Sequence, residues 1–203
     1  MAVGAVVIGD SPLVFKTLFE PHVQMAIWTR PSPRRGDATA GAAVGFDCNG
    51  DWIAPDAPVA AWLMEDLQML GDIFSALSGS DRWRARCERV TSRVCPRFHQ
   101  DAPPLRLITT YDGPGTEWAF DVELDGDLSA RRAATRRHVR PTSAGSVLLL
   151  KGRAARLFEA GPALLHRSPA ASRKHPRTVC TLDLPRPREA AGEADDRTDL
   201  QAA

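Results

Sequence analysis

Pro103-Pro104-Leu105-Arg106-Leu107-Ile108-Thr109-Thr110-Tyr111-Asp112-Gly113-Pro114-Gly115 is the stretch that sets the class of fold. Its centre, rich in Leu, Ile, Thr and Tyr, suits a pleated and partly buried strand. The two prolines before it and Gly-Pro-Gly after it are turn punctuation. The same grammar recurs downstream in Val147 to Leu150, entered through Ser143-Ala144-Gly145 and left through Lys151-Gly152, then in Ala163 to His166 and Arg177 to Leu184. Upstream, charge recurs at the even positions Arg82, Arg84, Arg86 and Glu88 on entering Trp83 to Val94, a spacing of two that favours a strand over a helix there. Strand after strand with turns between predicts an antiparallel barrel or sandwich.

The first 80 residues read differently. Between Pro58 and Leu77 the apolar residues Val59, Leu63, Leu67, Leu70, Ile73, Phe74 and Leu77 recur at spacings of three and four, which predicts a long amphipathic helix packed on the strands. Ser11-Pro12 looks like a helix start, with proline in the first turn, and that short helix should end before Pro21. Val23 to Trp28 is a compact strand candidate; Arg34 to Gly50, rich in Gly and Ala, reads as a loop or partly helical. The expectation is an α+β chain with one domain over 1–184, helical over residues 1–80 and a β-barrel over residues 81–184. Residues 185–203, nearly free of apolar side chains, read as a disordered tail.

Composition narrows the partners. Twenty-six Lys and Arg against 25 Asp and Glu leave a net charge of +1, so no whole-molecule field draws the chain to nucleic acid or to an anionic membrane. The basic run Arg131-Arg132, Arg136-Arg137-His138 and Arg140 lacks interleaved aromatics and reads as a solvated loop. No window approaches the roughly 18 apolar residues that span a bilayer, and Ala2 to Ile8 lacks a basic leader, which makes a cytoplasmic protein the expectation. Cys48, Cys87, Cys95 and Cys180 are widely spaced, which points to reduced, packed thiols rather than a disulfide framework.

Chemistry concentrates in Cys95-Pro96-Arg97-Phe98-His99-Gln100-Asp101. On a strand, His99 and Asp101 would project from one face about 7 Å apart at Cα, so that one ion could sit between them. His166, at the end of a later strand, is a candidate third ligand. Two imidazoles and one carboxylate hold a divalent metal while leaving coordination positions open, the set used for non-haem Fe(II) and oxygen chemistry. Arg177 starts the following strand, where a guanidinium could grip a carboxylate in a bidentate fork or serve as a structural ion-pair partner. Cys95 lies on the same strand face as His99 if the strand is regular, so a zinc site that includes Cys95 competes with the iron reading. Gly113 to Trp118 holds too many turn formers for a strand; it is either a loop at a barrel mouth, with Tyr111, Glu117 and Trp118 touching substrate, or a tight turn anchored by Trp118. No Gly-x-Ser-x-Gly, P-loop or dinucleotide fingerprint is present.

The order His-x-Asp, distant His, then Arg on the next strand resembles the superfamily of Fe(II)- and 2-oxoglutarate-dependent oxygenases. That resemblance implies a double-stranded β-helix (jelly roll), Fe(II) on His99, Asp101 and His166, and 2-oxoglutarate as a cosubstrate held by Arg177. Two residues after Arg177, where such oxygenases often carry Ser, stands Val179. More closely, Cys95-Pro96-x-Phe98-His99-x-Asp101, Arg106-Leu107-x-x-Thr110-Tyr111-x-Gly113-Pro114-Gly115-Thr116-Glu117-Trp118, Leu150-Lys151-Gly152 and His166-Arg167-Ser168-Pro169 resemble an uncharacterised bacterial domain-of-unknown-function family. That likeness covers roughly residues 20 to 185. It carries an association with zinc homeostasis and metallochaperone GTPases, and with it the alternative of a non-catalytic zinc-binding protein. Arg106 joins Tyr111, Glu117 and Trp118 as a candidate substrate contact. A small-molecule or protein substrate is expected, with its identity and the oligomeric state open.

Overall fold

The computed structural model describes residues 4–34, 44–47, 60–124, 138–155 and 162–184. Along the chain run β1 (Val6–Gly9), a 3-10 helix (Pro12–Phe19), β2 (Met25–Trp28), β3 (Val44–Asp47), α1 (Ala61–Ser78), β4 (Arg84–Val90), β5 (Leu105–Asp112) and β6 (Glu117–Phe120). A short 3-10 turn (Asp121–Glu123) follows, then β7 (Arg140–Pro141), β8 (Val147–Lys151), β9 (Leu164–Arg167) and β10 (Arg177–Asp183). Seven strands form a sheet in the order β1-β2-β8-β5-β10-β4-β3, and three form a second, β7-β6-β9. Pairing is antiparallel except between β1 and β2.

Alternation along β5 explains the layering. Leu107 and Tyr111 join a cluster with Leu63, Leu67, Leu70 and Phe74, so α1 covers that face of the large sheet. Ile108 joins Met25, Leu148 and Leu150 on the opposite face, where Trp118 and Leu164 of the small sheet pack against them. Burying each large apolar side chain of the helix contributes about 1.5–3 kcal/mol. Gly71 belongs to the same contact: a Cβ there would stand 2.1 Å from the Trp83 ring, so the indole lies directly on the helix backbone. A polar clamp completes it. Arg30 meets both carboxylate oxygens of Asp66 at 2.5 and 2.7 Å, and the buried Tyr111 hydroxyl donates to Asp66 Oδ2 at 2.7 Å.

The structure therefore is a mixed α+β, sheet-rich architecture, and no helix among the described residues is long and apolar enough to cross a membrane. Several expectations change. The first 80 residues contribute three strands to the large sheet as well as the helices, and Val44–Asp47 is one of those strands rather than loop or helix. Only Gly113 to Thr116 is a turn; Glu117 already begins β6, paired with β9. Cys87 and Cys180 are not free thiols but a disulfide, because β4 and β10 pair them directly across 93 residues of sequence. That distance hid the pair from any reading of cysteine spacing. Cys48, Val59, Arg131, Arg132, Arg136, Arg137 and the tail 185–203 lie outside the described residues.

Candidate metal centre

Pro96 cannot donate to a ladder, nor can Pro103 and Pro104, and the segment between them is no regular strand. Its backbone joins the small sheet through one bridge, in which the His99 N–H donates to the His166 carbonyl at 3.0 Å and the His166 N–H donates to the His99 carbonyl at 2.9 Å, while the Phe98 ring packs on Ala119 and Leu165. This single bridge, rather than strand alternation, brings the two imidazoles together with ring centroids 4.6 Å apart. His99 Nδ1 lies 2.9 Å from the Arg97 carbonyl. A carbonyl only accepts, so Nδ1 carries the proton and Nε2 keeps its lone pair for a ligand.

Asp101 closes the site. Its Oδ1 is 3.6 Å from His99 Nε2 and its Oδ2 is 3.2 Å from His166 Nε2. One ligand atom from each of the three residues falls within 4.8 Å of the others, a spacing that suits a common ion. Among the described residues Asp101 Oδ2 is buried and satisfied by no hydrogen bond, a costly state for a carboxylate oxygen that a cation would relieve. Burial pushes the Asp101 carboxyl up, but the two imidazoles and Arg106 outweigh it and hold the group well below the usual carboxylate range. The neighbouring Asp101 carboxylate raises His99 against the opposing effect of burial.

Two arginines flank the centre. Arg106 on β5 donates from Nη1 to Asp101 Oδ1 at 2.8 Å and forks onto Asp183 of β10 at 2.6 and 2.7 Å. Arg177, 3 % exposed, meets only hydroxyls as hydrogen-bond partners among the described residues: Thr110 at 3.0 Å and Thr116 at 2.7 Å. Burial lowers its pKa to about 10, opposed by the nearby Glu117 carboxylate. His99, His166, Arg106, Thr116 and Arg177 line one open cleft of ≈ 680 Å³ between the two sheets.

The remaining expected residues fall elsewhere. Tyr111 points to the opposite face of the large sheet, onto Asp66 and the Trp62 ring, and so is a core residue rather than a substrate contact. Trp118 is buried between Phe120 and the Arg140 guanidinium. Glu117 is engaged by Arg167 at 2.6 Å. Neither lines the cleft, in contrast to Arg106. Cys95 is exposed and lines the cleft, yet among the described residues it is outside the group formed by His99, Asp101 and His166. Thr116 and Asp183 were not singled out from the sequence. Spacing gives no sign of either, since each acquires its role from a partner at least 61 residues away.

The family model described as "Protein of unknown function (DUF1826)" matches residues 46–183. No curated protein matches the chain. Among solved structures, a prolyl-4-hydroxylase from Pseudomonas putida is 11% identical with a TM-score of 0.48, covering 86% of this chain and 98% of that one. A bsmA homolog from Methylobium petroleophilum is 12% identical with a TM-score of 0.44, covering 84% and 91%. A dioxygenase for auxin oxidation in rice is 16% identical with a TM-score of 0.39, covering 78% and 62%. Likenesses at this level carry no reaction with them.

Proposed function

Since the chain belongs to the DUF1826 family, whose description names no reaction, its chemistry has to come from its own residues, and we propose that it is a non-haem Fe(II)- and 2-oxoglutarate-dependent oxygenase. The observation that carries this reading is the buried Asp101 Oδ2, without a hydrogen bond and set beside the imidazoles of His99 and His166. We read the two facing sheets as a distorted double-stranded β-helix, with the centre where the segment before β5 meets β9.

Two histidines and one carboxylate fit Fe(II) by donor type, and three protein ligands leave positions for small molecules. When bound, the iron supplies one-electron and oxygen chemistry. The chain does the rest. Arg177 is a buried cation whose hydrogen bonds go to hydroxyls, so a carboxylate entering the cleft meets a guanidinium with no acidic hydrogen-bond partner. The Thr116 hydroxyl beside it offers a further donor, a role that suits the far carboxylate of 2-oxoglutarate and replaces the Ser absent at Val179. The imidazoles of His166 and His99, with Arg106 beside them, favour the carboxylate form of Asp101, and the proton on His99 Nδ1 leaves the Nε2 lone pair free for an ion.

Protein purified without chelator, then loaded with Fe(II) under argon, should take up one equivalent and consume oxygen only when 2-oxoglutarate is present. His99→Ala and His166→Ala should each lose the iron. Arg177→Gln should keep it while the KM for 2-oxoglutarate rises at least tenfold. Tight stoichiometric zinc with no oxygen uptake would overturn the reading in favour of a zinc-binding protein.

A further inference from the structure

Arg106 sits where a substrate contact was expected, and its hydrogen bonds give it another task. Two of its nitrogens, Nε and Nη2, are taken by the Asp183 carboxylate in a fork at 2.6 and 2.7 Å. The guanidinium plane is thereby fixed, and Nη1 is delivered to Asp101 Oδ1 at 2.8 Å. The other oxygen, Oδ2, is the one left buried, without a hydrogen bond, beside His166. We propose that Arg106, braced by Asp183, is a positioning residue that occupies one oxygen of Asp101 and reserves the other for the metal, making Asp101 a ligand through Oδ2 alone.

The inference rests on the metal reading above and extends it to two residues that touch no metal. Its chemistry follows from the shape of the side chain. A guanidinium spans two carboxylates with donors fixed in one plane, whereas a lysine ammonium carries its three donors on a single nitrogen at the end of a flexible stem and offers no rigid fork. The strands supply the reach: β10 pairs Asp183 directly with Arg106, and Asp101 precedes β5 by a short turn. Partners that orient a metal ligand characteristically change affinity about 10–100-fold when lost.

Co(II) is the probe, because its visible absorption reports the donor set. Wild-type protein should bind one Co(II). Arg106→Lys and Asp183→Asn should each weaken binding about 10–100-fold and shift the visible bands, while far-ultraviolet circular dichroism stays that of the wild type. Asp183→Asn retains the Arg106 side chain but loosens its brace, and it covers the case in which Arg106→Lys fails to fold. A folded variant of either kind with unchanged Co(II) affinity and spectrum would overturn the positioning role and leave the metal centre standing. Absence of Co(II) binding by the wild type, or binding unaffected by His166→Ala, would overturn the metal reading and this inference with it.

Discussion

Asp66 is the side chain whose loss should be felt most outside the metal centre. It is buried, receives both Arg30 nitrogens and the Tyr111 hydroxyl, and ties α1 to the large sheet. Asp66→Ala strands a mostly buried guanidinium, and unfolding in urea should show a loss of about 3–5 kcal/mol. Tyr111→Phe removes only one hydrogen bond and should lose about 1 kcal/mol. Gly152 is the corresponding position beside the site. A Cβ there would lie 1.9 Å from the Pro103 carbonyl oxygen and 2.7 Å from that of Asp101, and the next N–H, of Arg153, donates to Asp101 O at 2.8 Å. Gly152→Ala should therefore push the Asp101 turn away, costing about 1–3 kcal/mol in stability and weakening Co(II) binding in the same protein. An alanine variant with native affinity would show that the turn yields without moving the carboxylate.

Strands β4 and β10 are joined twice, by their ladder and by the Cys87–Cys180 disulfide. Closing a loop of this length constrains the unfolded chain, so Cys87→Ser should lower stability by about 2–4 kcal/mol. Peptide mapping without reductant should recover the two cysteines linked. The β6–β7 end relies on charge instead: Arg140 donates to both oxygens of Glu123 at 2.6 Å and covers the Trp118 ring. The Arg140 guanidinium holds the Glu123 carboxyl below its ordinary value of 4.5. A carboxyl depressed in the folded state adds stability above its unfolded pKa and loses it as pH falls through the folded value. Wild type and Glu123→Gln should accordingly differ by about 0.2–1 kcal/mol at neutral pH, the pair being partly exposed, and converge in acid. A difference that is constant with pH would assign the effect to packing on Trp118.

The whole molecule should report metal through its stability. An ion that binds only the folded state at a hundred times its Kd adds about 2.7 kcal/mol. For a chain of this size that is roughly 5–10 °C in Tm. Chelation should reverse the gain, and His166→Ala should melt at one temperature with or without Co(II).

Periodicity and turn chemistry are local, and they exposed the long helix, the strand Leu105 to Tyr111 and those after it, and the chemical character of His99, Asp101, His166 and Arg177 in the chain itself. Pairing is not local. Tyr111 was legible as a strand residue, but the face it occupies depends on where α1 lies, and that sent it into the core. The cysteines were legible as thiols, but only the β4–β10 register makes two of them one bond. His99 and Asp101 were legible as a pair, yet a lone bridge to His166, not a strand, aligns them. Residue type and spacing follow from the covalent chain, which sequence records. Partner choice across dozens of residues follows from how sheets stack to bury their apolar faces, and that is a property of the folded molecule.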